Sequence, residues 1–228
     1  MTISTNRVES FSDGVISIII TIMVFNIKFP HMTMPYTQGQ VERALIVLIP
    51  SLISYLFSFL IIGIMWLNHH HLFHMAEKVD EKLLWLNLHF LFWLSLIPFP
   101  TSMLSGNPLL PESTAIYGGV LFMVSFSFSL MRTYASRKDL MHSDKNRLIQ
   151  RQIDNVNRRA KLKNFAGMAA YFVAIPMAYV SVYISFACFI IPPILFFIPD
   201  GIDNEKLGEQ VAEKLIKKNE DASNTISG

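Results

Sequence analysis

The chain has 228 residues, of which 52% are hydrophobic and only 16% are charged, and its mean hydropathy is positive at +0.39. This balance excludes an ordinary soluble domain and predicts an all-α protein that crosses a membrane several times. The single cysteine, Cys188, excludes an intrachain disulfide framework.

Six apolar stretches are predicted to form transmembrane helices. Their approximate bounds are 8–29, 44–67, 83–104, 115–134, 160–178 and 181–199. The last two come from one apolar block that is too long for a single span, so a tight turn is expected near 178–182. Residues 68–82 are predicted to be a polar connection. The chain is therefore expected to form a six-span unit, 1–199, followed by a cytoplasmic tail, 200–228.

The distribution of basic residues predicts the topology. With both termini in the cytoplasm, every Lys and Arg except Lys28 and Arg43 lies in a predicted cytoplasmic part, in agreement with the positive-inside rule. A count of five spans would place the lysines of the tail outside. The basic segment 132–163 is interpreted as a topology determinant, and no nucleic-acid partner is expected.

The first span is unusually polar in its first half, which contains Ser12, Asp13, Ser17 and Thr21. An ionisable residue at membrane depth is by default a functional candidate. No cleavage site for a signal peptide follows this span, so it is expected to remain in the mature protein.

A helical wheel of the first span places small, bulky apolar and hydroxyl residues in succession along one face. The residues on this face are Gly14, Ile18, Thr21 and Phe25, with Ile22 at its border. Arg7 lies in line with them if the helix starts one turn early. Periodicity alone leaves open whether this face lines a functional site or is a lipid-facing or bundle-core stripe.

The motif Arg7-x-x-x-Phe11-Ser12-Asp13 at the start of the first span resembles the signature of the transmembrane-protein-175 family. These proteins are potassium-permeable channels known from lysosomes and, as shorter versions, from bacteria and archaea. The similarity covers roughly the first 105 residues. Further residues that match the family are Trp66, His69, His70, Asn87, Pro98, Phe99 and Thr101.

The resemblance implies a channel in the plasma membrane of a prokaryote that passes K⁺ and other monovalent cations, with modest preference for K⁺ over Na⁺ and no cofactor. Family members with one six-helix unit are homotetramers in which the first helix of each subunit lines a central pore. They lack the Thr-Val-Gly-Tyr-Gly filter of ordinary potassium channels, and this chain lacks it as well.

The family motif also implies roles for residues of the first span. The constriction is expected at Ile18, with further pore positions at Ile22 and Phe25 and hydroxyl groups at Thr21 and Ser17. Phe25 departs from the smaller aliphatic residue that is usual there.

A second group of residues is expected to hold the first helix in place rather than to contact the ion, because buried charges in a membrane need partners. This predicted scaffolding network consists of Arg7, Phe11, Ser12, Asp13, Trp66, His69, His70 and Asn87.

Two other classes of function are compatible with individual features. Asp13 is a possible proton carrier of a proton-coupled transporter. The cluster His69-His70-His71 with His74 is similar to one histidine box of a metal-dependent membrane enzyme. Such enzymes use several boxes, and no carboxylate lies at ligand spacing within a span, so neither a metal site nor an enzyme is expected.

Overall fold

Helices make up nearly all of the part of the chain that the computed structural model describes, which is residues 4–27, 34, 37–76, 78–137, 140 and 147–197. The helices are α1 Thr5–Ile22, a 3-10 turn Met23–Asn26 that continues it, α2 Gln38–His74, α3 Glu81–Ser95, α4 Pro98–Gly106, α5 Pro111–Arg137, α6 Arg147–Val180 and α7 Val182–Phe197.

Within the described residues, four helical segments are long and apolar enough to cross a membrane: Thr5–Asn26, Gln38–His74, Glu81–Gly106 and Pro111–Arg137. They overlap the first four predicted spans. Helices α6 and α7 lie where the last two were predicted, and they meet at the expected turn. The count of six spans and the side of each terminus stay predictions, and the tail 200–228 lies outside the described residues.

The histidine cluster is helical, so the prediction of a polar connection at 68–82 is wrong for its first half. Helix α2 continues to His74 and the connection begins at Met75. Polar composition suggested a loop, but the sequence from Asn68 to His74 contains no Gly or Pro that would end a helix. Asp80 then caps α3 by accepting a 2.8 Å hydrogen bond from the Leu83 amide.

The third span is interrupted between Ser95 and Pro98, where α3 ends and α4 begins. Proline lacks an amide hydrogen and is favoured in the first turn of a helix, so Pro98 separates the two helices. The side-chain amide of Asn26 donates a 3.0 Å hydrogen bond to the Pro98 carbonyl. This contact attaches the end of the first span to the break in the third.

Three buried hydroxyl groups connect α2, α4 and α5. Ser58 Oγ lies 2.9 Å from Thr101 Oγ1 and 2.8 Å from the Tyr117 hydroxyl oxygen. Thr101 donates its own hydrogen to the Ile97 carbonyl. Each hydroxyl has one hydrogen, so Ser58 donates to Thr101 and accepts from Tyr117. The three hydroxyl groups thus form one continuous series of hydrogen bonds, from Tyr117 to Ser58 to Thr101. These bonds restrict the rotation of the three helices relative to one another.

Helices α5 and α7 approach closely at Gly118. A Cβ atom there would lie 3.1 and 3.3 Å from two atoms of the Phe189 ring, whereas one at the neighbouring Gly119 would have no atom within 4 Å. The Phe189 ring is buried and is packed against Tyr117 and Tyr171, at centroid distances of 5.4 and 6.3 Å. It therefore has little room to move.

Replacing Gly118 by alanine should destabilise the protein by about 1–3 kcal/mol, since overpacking of a buried contact outweighs the gain in helix propensity. The measurement is the thermal unfolding midpoint of the purified protein in detergent. Gly119→Ala is the matched control and should leave the midpoint unchanged or raise it. Equal midpoints for the two variants would show that the α5–α7 contact is less tight than described.

Candidate functional site

Helix α1 has two distinct faces, because it packs against α2 and α3 on one side. The residues of the packed face are at most 5% exposed, and they recur every three or four positions as expected for one side of a helix. They are Val8, Ser12, Ile16, Ile19 and Met23.

The opposite face of α1 is exposed, and no other helix of the described part of the chain covers it. Ile18 is 58% exposed, Ile22 48% and Phe25 75%. We call this the open face; its residues are Arg7, Gly14, Ser17, Ile18, Thr21, Ile22 and Phe25, all of them exposed. The helical wheel predicted the same side of the helix.

The two hydroxyl groups on the open face are bonded to their own helix. Ser17 Oγ donates to the Asp13 carbonyl at 2.7 Å, and Thr21 Oγ1 lies 3.0 Å from the Ser17 and Ile18 carbonyls. Since each hydroxyl hydrogen is directed at the backbone, the oxygen lone pairs remain available on the exposed side. The face therefore offers neutral oxygen acceptors between aliphatic side chains.

The packed face of α1 is joined to α3 and α2 through the side-chain amide of Asn87. Asn87 Nδ2 donates to Ser12 Oγ at 2.9 Å, and Ser12 donates its own hydrogen to the Val8 carbonyl at 2.9 Å. Asn87 Oδ1 lies 2.8 Å from His69 Nε2, and this oxygen can only accept, so the histidine donates. Ser12, Asn87 and His69 are at most 1% exposed. The three side chains form a fully buried polar link between the three helices.

Two acidic side chains of α1 form more exposed hydrogen bonds with α2, outside the buried link around Asn87. Trp66 Nε1 donates to Asp13 Oδ1 at 2.9 Å, and His70 Nδ1 lies 2.7 Å from Glu9 Oε1. The indole and imidazole rings are themselves stacked at 6.0 Å. Glu9 and Asp13 are four residues apart, as are Trp66 and His70. The two hydrogen-bonded pairs therefore lie one helical turn apart between α1 and α2, which run antiparallel.

Glu9 was not among the predicted site residues. The signal that identifies it is the matching spacing of four residues on α1 and α2, which places Glu9 opposite His70 once Asp13 is opposite Trp66. The structure brings together six of the predicted scaffolding residues, and their role in holding the helix stays a prediction. They are Ser12, Asp13, Trp66, His69, His70 and Asn87.

Arg7 and Phe11 lie outside these hydrogen bonds. Both are exposed, and with Leu84 and Leu88 of α3 they line a surface cavity of about 250 Å³. Their predicted scaffolding role stays a prediction.

The histidines of α2 also contact one another. His70 and His74 are stacked at a centroid distance of 6.1 Å. Within the described residues, no group of three or more His, Cys, Asp or Glu side chains is arranged to hold a metal ion.

Fold and site together define a multi-pass helical membrane protein whose first helix is bonded to its neighbours on one side and open on the other. Comparison with known proteins identifies the family. The model of the family described as the endosomal/lysosomal potassium channel TMEM175 matches residues 7–98. A potassium channel from Chryseobacterium sp. is 32% identical over 203 residues, which covers 89% of this chain and 97% of that protein. The chain belongs to the TMEM175 family.

Two further relatives agree with this assignment. A potassium channel from Chamaesiphon minutus is 30% identical over 191 residues, covering 82% of this chain and 91% of that protein. The crystal structure of a homologue, from the same organism, of the lysosomal potassium-selective channel TMEM175 has a TM-score of 0.67 and 27% sequence identity. It covers 87% of this chain and 98% of its own.

Replacing Asn87 by leucine should lower the free energy of unfolding by about 1–3 kcal/mol, because Ser12 and the His69 N–H would lose a buried partner at nearly constant side-chain volume. Thermal unfolding of the purified protein measures the change. Asn6→Leu, at an exposed position of α1, is the control and should have little effect. A midpoint for Asn87→Leu equal to that of the control would contradict a structural role for this link.

Proposed function

We propose that the protein is a potassium-permeable cation channel, modestly selective for K⁺ over Na⁺. Four copies assemble around a pore in the plasma membrane of a prokaryote, with α1 of each subunit lining the pore. The observation that carries this proposal is the open face of α1, where exposed aliphatic and hydroxyl side chains alternate along a membrane-length helix. Two bacterial potassium channels, which the chain resembles over nearly their whole length, support it.

The constriction is a ring of Ile18 side chains. Hydrophobic rings of this kind close by dewetting, since a narrow apolar segment does not hold a continuous column of water. Ile18 is more than half exposed in the single chain, so its side chain is available to a pore shared between subunits. Ile22, one turn further, extends the apolar segment.

The selectivity for K⁺ over Na⁺ arises because the pore replaces only part of the water that the ion loses. An ion passing the Ile18 ring gives up part of its water shell, and K⁺ does so at lower cost than Na⁺. The lone pairs of Thr21 and Ser17 on the open face replace some of this water with neutral, weak ligands. A site with few ligands and no charge favours K⁺ only modestly.

Asp13 is structural in this proposal. Its carboxylate accepts from Trp66 on α2, as Glu9 pairs with His70, so both charges are directed toward the neighbouring helix. The segment from Gly14 to Phe25 contains no charged residue. Phe25 lies on the same open face and lines the outer end of the pore.

Replacing Thr21 by alanine should reduce the permeability ratio of K⁺ to Na⁺ by a factor of about two to ten, since one weak hydroxyl ligand per subunit is lost. The measurement is planar-bilayer recording of the purified protein with KCl and NaCl on opposite sides. Wild type should show ohmic single-channel steps and a reversal potential shifted toward that of K⁺.

Thr21→Ser keeps the hydroxyl group and is the matched control, so its permeability ratio should stay near that of wild type. An unchanged ratio in Thr21→Ala would remove Thr21 from the selectivity mechanism. Saturable, gradient-driven flux without single-channel steps, abolished by Asp13→Asn, would indicate a proton-coupled transporter instead.

Replacing Ile18 by alanine should increase the single-channel conductance several-fold, because a wider ring lowers the dewetting barrier. Single-channel amplitude in symmetric KCl measures it. Ile46→Ala, at an exposed position of α2, removes the same number of carbon atoms outside α1 and should leave the amplitude unchanged. The constriction does not lie at Ile18 if both variants conduct like wild type.

A further inference from the structure

A second cavity, lined in part by polar residues, lies away from α1, between α2, α5, α6 and α7. Its volume is about 60 Å³. The polar residues that line it are Asn68, Ser125, Arg132, Lys163, Asn164 and Tyr171. None of the residues assigned to the pore or to the bonds around Asn87 takes part, so this cavity is distinct from the site described above.

The cavity is basic. Arg132 is only 6% exposed, and its guanidinium carbon lies 6.0 Å from the centre of the Phe128 ring. Lys163 is half-buried on α6. No Asp or Glu is found among the described residues that line the cavity. Arg132 and Lys163 each also interact with another group of the protein.

The position along the helices places the cavity at one membrane boundary. Arg132 lies near the end of the fourth predicted span and Lys163 near the start of the fifth, both on the predicted cytoplasmic side. Basic pockets between transmembrane helices on that side are suited to the anionic head groups of the inner leaflet.

We propose that this cavity binds the negatively charged phosphate of an anionic phospholipid head group from the cytoplasmic leaflet. The planar guanidinium of Arg132 is suited to two oxygens of a phosphate, and Lys163 supplies a second cation. The side-chain amides of Asn68 and Asn164 can donate to the remaining oxygens. The volume is several times the ~10–15 Å³ that one water needs on this measure, which is enough for a phosphate group.

Lipid binding to the purified full-length protein tests the proposal by native mass spectrometry, with dioleoyl phosphatidylglycerol and with zwitterionic dioleoyl phosphatidylcholine. Wild type should bind phosphatidylglycerol more tightly, and Lys163→Gln should weaken that binding by about tenfold or more, the effect of one charged hydrogen bond. Lys161→Gln is the matched control, because it removes the same charge from an exposed position of α6, and should change the affinity less than about twofold.

Arg132→Gln should weaken the binding of phosphatidylglycerol at least as much as Lys163→Gln does, and Lys163→Arg should retain it. Thermal unfolding checks that each variant is folded. If Arg132→Gln does not fold, the result for Lys163→Gln alone decides whether the cavity binds the lipid. Inorganic phosphate is the second probe. Binding of phosphate that depends on Lys163 without binding of phosphatidylglycerol would identify a soluble phosphate as the ligand source, with the same site chemistry.

Equal affinities of wild type for the two lipids, without Lys163-dependent binding of phosphate, would overturn the proposal. Equal effects of Lys163→Gln and Lys161→Gln would overturn it as well. This readout does not involve ion conduction, so its failure would leave the proposed channel function untouched.

Discussion

The buried amide of Asn87 is the contact on which the arrangement of the first helix depends. Within a bilayer, apolar surface gains little by moving from lipid to protein, so packing and interhelical hydrogen bonds determine how helices associate. Asn87 lies on α3, and its side-chain amide donates to Ser12 of α1 and accepts from His69 of α2. Any rotation of α1 breaks at least one of these bonds and leaves a polar group unpaired in an apolar surrounding.

This constraint explains how one helix contains two carboxylates and yet presents an uncharged open face. Glu9 and Asp13 lie one turn apart on the side of α1 that faces α2. There they form hydrogen bonds with His70 and Trp66. The rotation that pairs these acids also places Ile18, Thr21 and Ile22 on the exposed side. Polar contacts on the packed side thereby determine the chemistry of the open side.

Much of this arrangement was predictable from the sequence. The helical period places Ile18 and Thr21 on one face, and hydropathy locates the four membrane-length helices. The Arg-x-x-x-Phe-Ser-Asp motif, through family resemblance, suggested Trp66, His69 and Asn87 as partners of α1. Glu9 was missed because an acidic residue at a helix start is normally solvated, and only the register of α1 against α2 shows that His70 faces it.

Other features depend on tertiary context that no local pattern contains. Polar composition alone is equally compatible with a loop at the histidines of α2, and the bonds that His69 and His70 make to α3 and α1 add to the local helix preference there. The hydrogen bond from Asn26 to Pro98 joins residues far apart in the chain, and it arises only because the third span breaks beside the end of the first. Neither periodicity nor residue type indicates such a pair.

One turn of α2 serves both polar sites. Asn68 lines the basic cavity beside α5, α6 and α7, while the next residue, His69, donates to Asn87 on the opposite side, and His70 pairs with Glu9. Because consecutive residues of a helix move together, a ligand that displaces Asn68 also displaces the partners that orient α1. The same turn of α2 thus contributes one residue to the basic cavity and two residues to the bonds that hold α1.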